Sequence, residues 1–88
     1  MAEKLPPQNI EAEEAVLGSI LIDRDAIVKV APFLKPEDFY RDKNGWIFAA
    51  VLDLYNRHEP ADFVTLCDDL ERSGKLDDVG GREYITSL

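Results

Sequence analysis

Eighty-eight residues with 45% apolar content suffice for one compact domain with a modest core and are too few for two. Eighteen acidic against ten basic residues give a formal charge of −8, so the chain as a whole repels a polyanion, whose binding depends on Lys and Arg releasing counterions. A single cysteine, Cys67, excludes an internal disulfide and suits a reducing compartment; no stretch reaches the ~18 apolar residues of a membrane span, and "MAEKLPPQN" lacks the regions of a secretory signal, so a cytoplasmic protein is expected.

Pro6-Pro7 breaks any helix, and Asn9 is then placed to cap one beginning near Ile10. Glu11, Glu13 and Glu14 fall in its first turn, where the positive end of the helix dipole favours carboxylates. Over about 10 to 22, Val16, Leu17, Ile20 and Leu21 form an apolar arc, and Ala15, Gly18 and Ser19 a strip of small side chains open to close helix approach. Asp23 or Asp25 opens a short second helix that Pro32 ends or kinks, and Pro36 holds an irregular link through "KPEDFY".

The third helix, Trp46 to Tyr55, is apolar nearly all round, with Asp53 its only charge. Helical spacing puts Trp46, Ile47, Ala50, Val51 and Leu54 on one side, with Phe48 and Leu52 behind them. Such a helix must be covered on more than one side, so it is either central to a bundle or part of an association surface. Phe48, Leu52 and Tyr55 are the candidate association residues.

Pro60 ends that helix and Asp62 caps the next, in which Phe63, Leu66, Cys67 and Leu70 make a regular amphipathic stripe closed by Gly74. No period-two alternation is sustained, and the fold reads as an all-α bundle.

Gly80-Gly81 lacks the neighbours of a phosphate loop, having acidic residues before it and an Arg-Glu pair after it. A turn with positive φ leading into a helix with Tyr84, Ile85 and Leu88 is the reading. His58, the only histidine, suits the negative end of the third helix; Cys67 suits the core; Asp68-Asp69 and Asp77-Asp78 lack calcium-loop spacing and read as solvated surface. Trp46, Phe48, Tyr40 and Tyr55 have no interleaved Arg and Lys, so they read as core or protein interface rather than a base-stacking platform. No catalytic residues, metal ligands or cofactor-binding residues are expected in this chain.

Three segments, "PPQNIEAEEAVLGSILIDRDAI", "KPEDFYRDKNGWIFAAVLDLY" and "EPADFVTLCDDLERSGKLDDVGG", resemble in that order the N-terminal domain of the bacterial replicative DNA helicase, the DnaB family. The resemblance covers almost all of the chain from Pro6 onwards. It implies a small orthogonal helical bundle of about five helices, a head over residues 9–88 preceded by a tail over 1–8. It further implies that the helical hairpin, the linker and a RecA-like motor, with the ATP and Mg sites and the helicase activity, lie outside this sequence. Other subunits of a hexamer, primase and a helicase loader are the implied partners, with no direct DNA or membrane contact by the head. Asn44 stands where the family pattern has a histidine, which removes any role for a titrating imidazole there while keeping local hydrogen bonding.

An acidic helical carrier of the acyl-carrier kind is the rival reading. It requires a modifiable serine at a helix start in an Asp-Ser-Leu setting, whereas this chain offers "LGSIL" within its first helix and a terminal "TSL".

Overall fold

The computed structural model describes residues 9–88; the Pro6-Pro7 break and the 1–8 tail lie outside the described residues. These form helices α1 (Ile10–Ile22), α2 (Arg24–Val30), α3 (Asp42–Asn56), α4 (Phe63–Arg72) and α5 (Gly81–Thr86), with a 3-10 turn at Pro36–Asp38. No strand occurs among the described residues, so the fold is all-α.

Local chemistry sets most of the boundaries. Asn9 caps α1 by accepting the Ala12 amide at 3.0 Å. Asp23, in extended conformation, ends α1 and caps α2 by accepting the Asp25 amide at 3.0 Å. At the start of α4, Asp62 accepts the Thr65 amide at 2.9 Å while the Asp62 amide donates to Thr65 Oγ1 at 3.1 Å, a reciprocal capping box. α3 starts at Asp42, four residues before the expected Trp46, and has no side-chain cap.

Two helices and one turn close with the same hydrogen-bond pattern. After α3, the His58 amide donates to Tyr55 and the Glu59 amide to Leu54; after α4, Gly74 donates to Glu71 and Lys75 to Leu70. The turn before α5 repeats it, Gly80 donating to Asp77 and Gly81 to Leu76. Gly74 (φ 76°), Gly80 (φ 103°) and Gly81 (φ 74°) supply the left-handed residues expected of them, and His58 occupies the equivalent position with φ 62°. His58 thus terminates α3 through its backbone conformation.

The core gathers Leu17, Ile20 and Ile27 from the first two helices, Ile47, Phe48, Val51 and Leu54 from α3, Leu66, Cys67 and Leu70 from α4, and Ile85 from α5, all nearly or fully buried. Cys67 packs as a small hydrophobe, as its place on the stripe predicts. α3 is the central helix, and the wheel reading of it requires correction. Phe48 is fully buried against Phe39, ring centroids 5.2 Å apart, whereas Trp46 is 44% exposed. Phe39, from the irregular link before α3, supplies the wall that turns the Phe48 side inward.

Small residues mark two close approaches. A Cβ on Gly18 would lie 2.9 Å from the backbone carbon of Leu88, so of the small strip on α1 only Gly18 receives a close neighbour, and that neighbour is the segment after α5, not a helix; Ala15 and Ser19 face solvent. A Cβ on Gly45 would lie 2.7 Å from the Pro36 carbonyl oxygen, where the 3-10 turn meets α3.

Candidate association surface

Of the candidate association residues, Phe48 is removed by the fold. A fully buried side chain cannot meet a partner without unfolding the core around it. Leu52 is half-buried at the edge of the core and Tyr55 is exposed one turn further on. Apart from Tyr55, the α3 positions that face solvent are Asp42, Trp46, Ala49, Asp53 and Asn56, spaced as one helical stripe. Trp46, Ala49 and Ala50 line an open groove between α3 and α4 of about 310 Å³, with Leu70 on its far side.

Charged side chains frame this groove. Arg57 is bonded to Asp69 at 2.8 Å, Asp53 at 3.1 Å and Glu59 at 3.5 Å, which ties the end of α3 to α4. Arg72 also reaches Asp69, at 3.0 Å, and Asp68 at 3.1 Å. Asp69 is therefore a bridging carboxylate at the α3–α4 seam rather than simple solvated surface, whereas Asp68 is largely exposed.

A polar cluster at the opposite edge of α3 was not anticipated. Glu13 and Asn44 are both fully buried. Asn44 donates from Nδ2 to Glu13 Oε1 at 2.9 Å, the Arg41 amide donates to the same oxygen at 3.4 Å, and the Tyr40 amide donates to Glu13 Oε2. The Tyr84 hydroxyl of α5 donates to Asn44 Oδ1, and the Lys43 ammonium lies 3.7 Å over the Tyr84 ring. Burial, with Glu14 nearby, pushes the Tyr84 phenol up. Glu13 thus satisfies amides at the entry to α3, which has no side-chain cap of its own, instead of serving only the dipole of α1.

A signal for this cluster exists in the sequence: Glu13 is in helical register with Leu17 and Ile20, and Asn44 with Ile47 and Phe48. A polar residue on an apolar arc either destabilises the core or finds partners there. Which partners it finds depends on the packing of α1, α3 and α5, which no local pattern encodes.

The aromatic residues form no common platform, since Phe48 is internal while Tyr40 and Trp46 are exposed. Nor does the carrier reading find its serine, because Ser19 lies deep within α1 and Ser87 follows the last helix. Among the described residues no group of three His, Cys, Asp or Glu is placed to hold a metal ion, and no helix is long and apolar enough to cross a membrane.

Comparison with known proteins agrees with this architecture. The family model described as "DnaB-like helicase N terminal domain" matches residues 5–88. The chain is 45% identical over 87 residues to the replicative DNA helicase DnaB of Geobacillus stearothermophilus, covering 99% of this chain and 19% of that protein. It is 46% identical over 83 residues to replicative DNA helicase DnaB of Mycobacterium leprae, covering 94% of this chain and 14% of that protein. The crystal structure of the N-terminal domain of DnaB helicase from Mycobacterium tuberculosis superposes with a TM-score of 0.88 at 46% identity, over 94% of this chain and 60% of that one. The chain therefore spans less than a fifth of the length of these two curated relatives. From the matched family model, the identity over nearly its whole length and the shared helical fold, the chain belongs to the DnaB-like helicase N-terminal domain family.

Proposed function

We propose that this domain is the N-terminal head of a replicative DNA helicase and serves there as an assembly and docking module. ATP hydrolysis, with its Mg²⁺, and strand separation belong to the motor of the whole protein. Neighbouring heads of a hexameric ring and primase are the partners of the head, with a helicase loader as a further one. The observation that carries this reading is family membership across nearly the whole chain. Exposed aromatic side chains on two sides of α3 support it: Trp46 borders the α3–α4 groove and Tyr55 the side facing α1 and α2, on an otherwise acidic domain. The net charge of −8 supports contact with proteins in preference to DNA.

Leu52 and Tyr55 remain the association residues, now joined by Trp46 in place of Phe48. In the whole protein, titration of the C-terminal domain of primase and sedimentation of the ring test both parts of the assignment. Alanine at Trp46, Leu52 and Tyr55 together weakens primase binding or ring assembly by tenfold or more, about 1.4 kcal/mol or more in binding free energy. A folded triple variant with unchanged assembly and unchanged primase affinity would remove these residues from the proposal.

A further inference from the structure

On the side of the molecule where α1 and α2 meet the turn after α3 lies an open cavity of about 350 Å³. Its floor is aliphatic: Ile20 and Ile27 reach it from the core, and Pro60 and Ala61 close it from the loop. Its polar groups are Arg24, Tyr55, His58 and Glu59. The volume is in the range of sites for a single side chain or a small organic molecule.

Two features separate this cavity from an ordinary surface depression. Arg57, Arg72 and Arg82 are each bonded to carboxylates, whereas Arg24, like Arg41, has no salt bridge or side-chain hydrogen bond with any described residue, and of these two only Arg24 lines the cavity. Glu59, which lines the cavity, is bonded to Arg57 at 3.5 Å, and Asp62 accepts the Thr65 amide at 2.9 Å. The Arg24 charge acts on Asp62 only at longer range. The guanidinium fork is thus available for a bidentate anion.

The second feature is His58. It is the only non-glycine among the described residues with positive φ, while the corresponding turns after α4 and before α5 use Gly74 and Gly80. A glycine would satisfy the same turn without steric penalty. Folding alone thus favours glycine at this position, and the imidazole present there instead lines the cavity.

We propose that this cavity binds a carboxylate carried beside an apolar group, as at a Leu-Asp sequence in a partner or in a small organic acid. Arg24 takes the carboxylate in a forked ion pair, His58 and the Tyr55 hydroxyl add donors, and the apolar group lies on Ile20, Ile27, Pro60 and Ala61. The cavity shares Tyr55 with the association residues proposed above but includes neither Trp46 nor Leu52, so Arg24 and His58 variants test it separately. It requires nothing of the motor or of ring formation.

The test is an NMR titration of the 88-residue chain, following the Arg24 side-chain Nε–H and the backbone amides of His58 and Ala61. The probes are phenylacetate, the acidic dipeptide acetyl-Leu-Asp and, as the uncharged control, phenylacetamide. A saturable response to either acid at about millimolar concentration, weaker by roughly tenfold for phenylacetamide, supports the site. Arg24→Gln weakens the response by about tenfold, and His58→Gly weakens it by a few fold while raising Tm, a combination that misfolding cannot produce. Tighter binding of the dipeptide supports a partner segment; tighter binding of phenylacetate supports a small acid. No saturable response up to about 20 mM of either acid, or equal responses from phenylacetamide or Arg24→Gln, overturns the proposal.

Discussion

Asn44 and Glu13, 31 residues apart in the chain and both fully buried, share a hydrogen bond of 2.9 Å that joins the start of α3 to α1. Tyr84 extends the link to α5 through the other end of the same amide. Removing one member strands the others away from water. Asn44→Ala is expected to lower stability by about 2–3 kcal/mol, and Glu13→Ala, which abandons the Tyr40 and Arg41 amides as well, by about 3–5 kcal/mol. Urea unfolding measures both. A cost below about 0.5 kcal/mol for Asn44→Ala would place the amide outside the stabilising network.

His58 points the other way. Replacing it with glycine relieves a side chain in the left-handed region, an effect of about 1–2 kcal/mol, partly offset by the greater freedom of glycine in the unfolded chain. A net gain of about 0.5–1 kcal/mol follows, equivalent to roughly 2–8 °C in Tm for a domain of this size. Thermal unfolding followed by circular dichroism gives the sign directly.

Gly45→Ala tests the seam between the 3-10 turn and α3. Alanine improves helix propensity by about 1 kcal/mol, but its Cβ would stand 2.7 Å from the Pro36 carbonyl oxygen, a contact that backbone movement must relieve. Overpacking of about 1–3 kcal/mol outweighs the propensity, so the variant is expected to be destabilised. A more stable Gly45→Ala protein would mean that the Pro36 turn yields freely.

At high pH two groups act together. Burial pushes the Cys67 thiol above its ordinary 9.0, and burial with the nearby Glu14 charge pushes the Tyr84 phenol above its ordinary 10.0. The folded state keeps protons that the unfolded chain releases, so their stabilisation is complete below the unfolded values and is lost as pH rises through the folded ones. The urea midpoint should therefore fall as pH rises above the ordinary 9.0 of the thiol and 10.0 of the phenol, with a shallower fall in Cys67→Ala and Tyr84→Phe. In the native state the buried thiol should also resist a disulfide-exchange reagent until the protein unfolds.

At low pH the Asp62 cap supplies the opposite signature. Its bonds from the Thr65 amide and hydroxyl hold the carboxyl below the ordinary 3.8, so its stabilisation is present above that value and is lost as pH falls through the lower folded one. Asp62→Ala should cost about 1 kcal/mol at neutral pH, and its difference from the parent should shrink on acidification. A constant difference from neutrality to about pH 2 would assign the loss to packing alone.

Local sequence determined the parts of this protein that local chemistry controls. Asn9, Asp23 and Asp62 each cap the helix they precede, Gly74 and the Gly80-Gly81 pair turn the chain where they stand, and the Cys67 stripe faces inward. Family membership was equally legible, because three long segments in order carry far more information than any single periodicity. Tertiary structure alone decided which sides of α3 are covered. Periodicity locates a helical face but not its neighbour, so Phe39 drawing Phe48 inward and leaving Trp46 outside required the link before α3 to fold back. The Glu13–Asn44–Tyr84 network arose in the same way: each residue had an unremarkable local role, and only the convergence of α1, α3 and α5 made them partners. Burial and hydrogen bonding between distant segments are properties of the assembled core, where removal from water gives a polar pair its energetic weight.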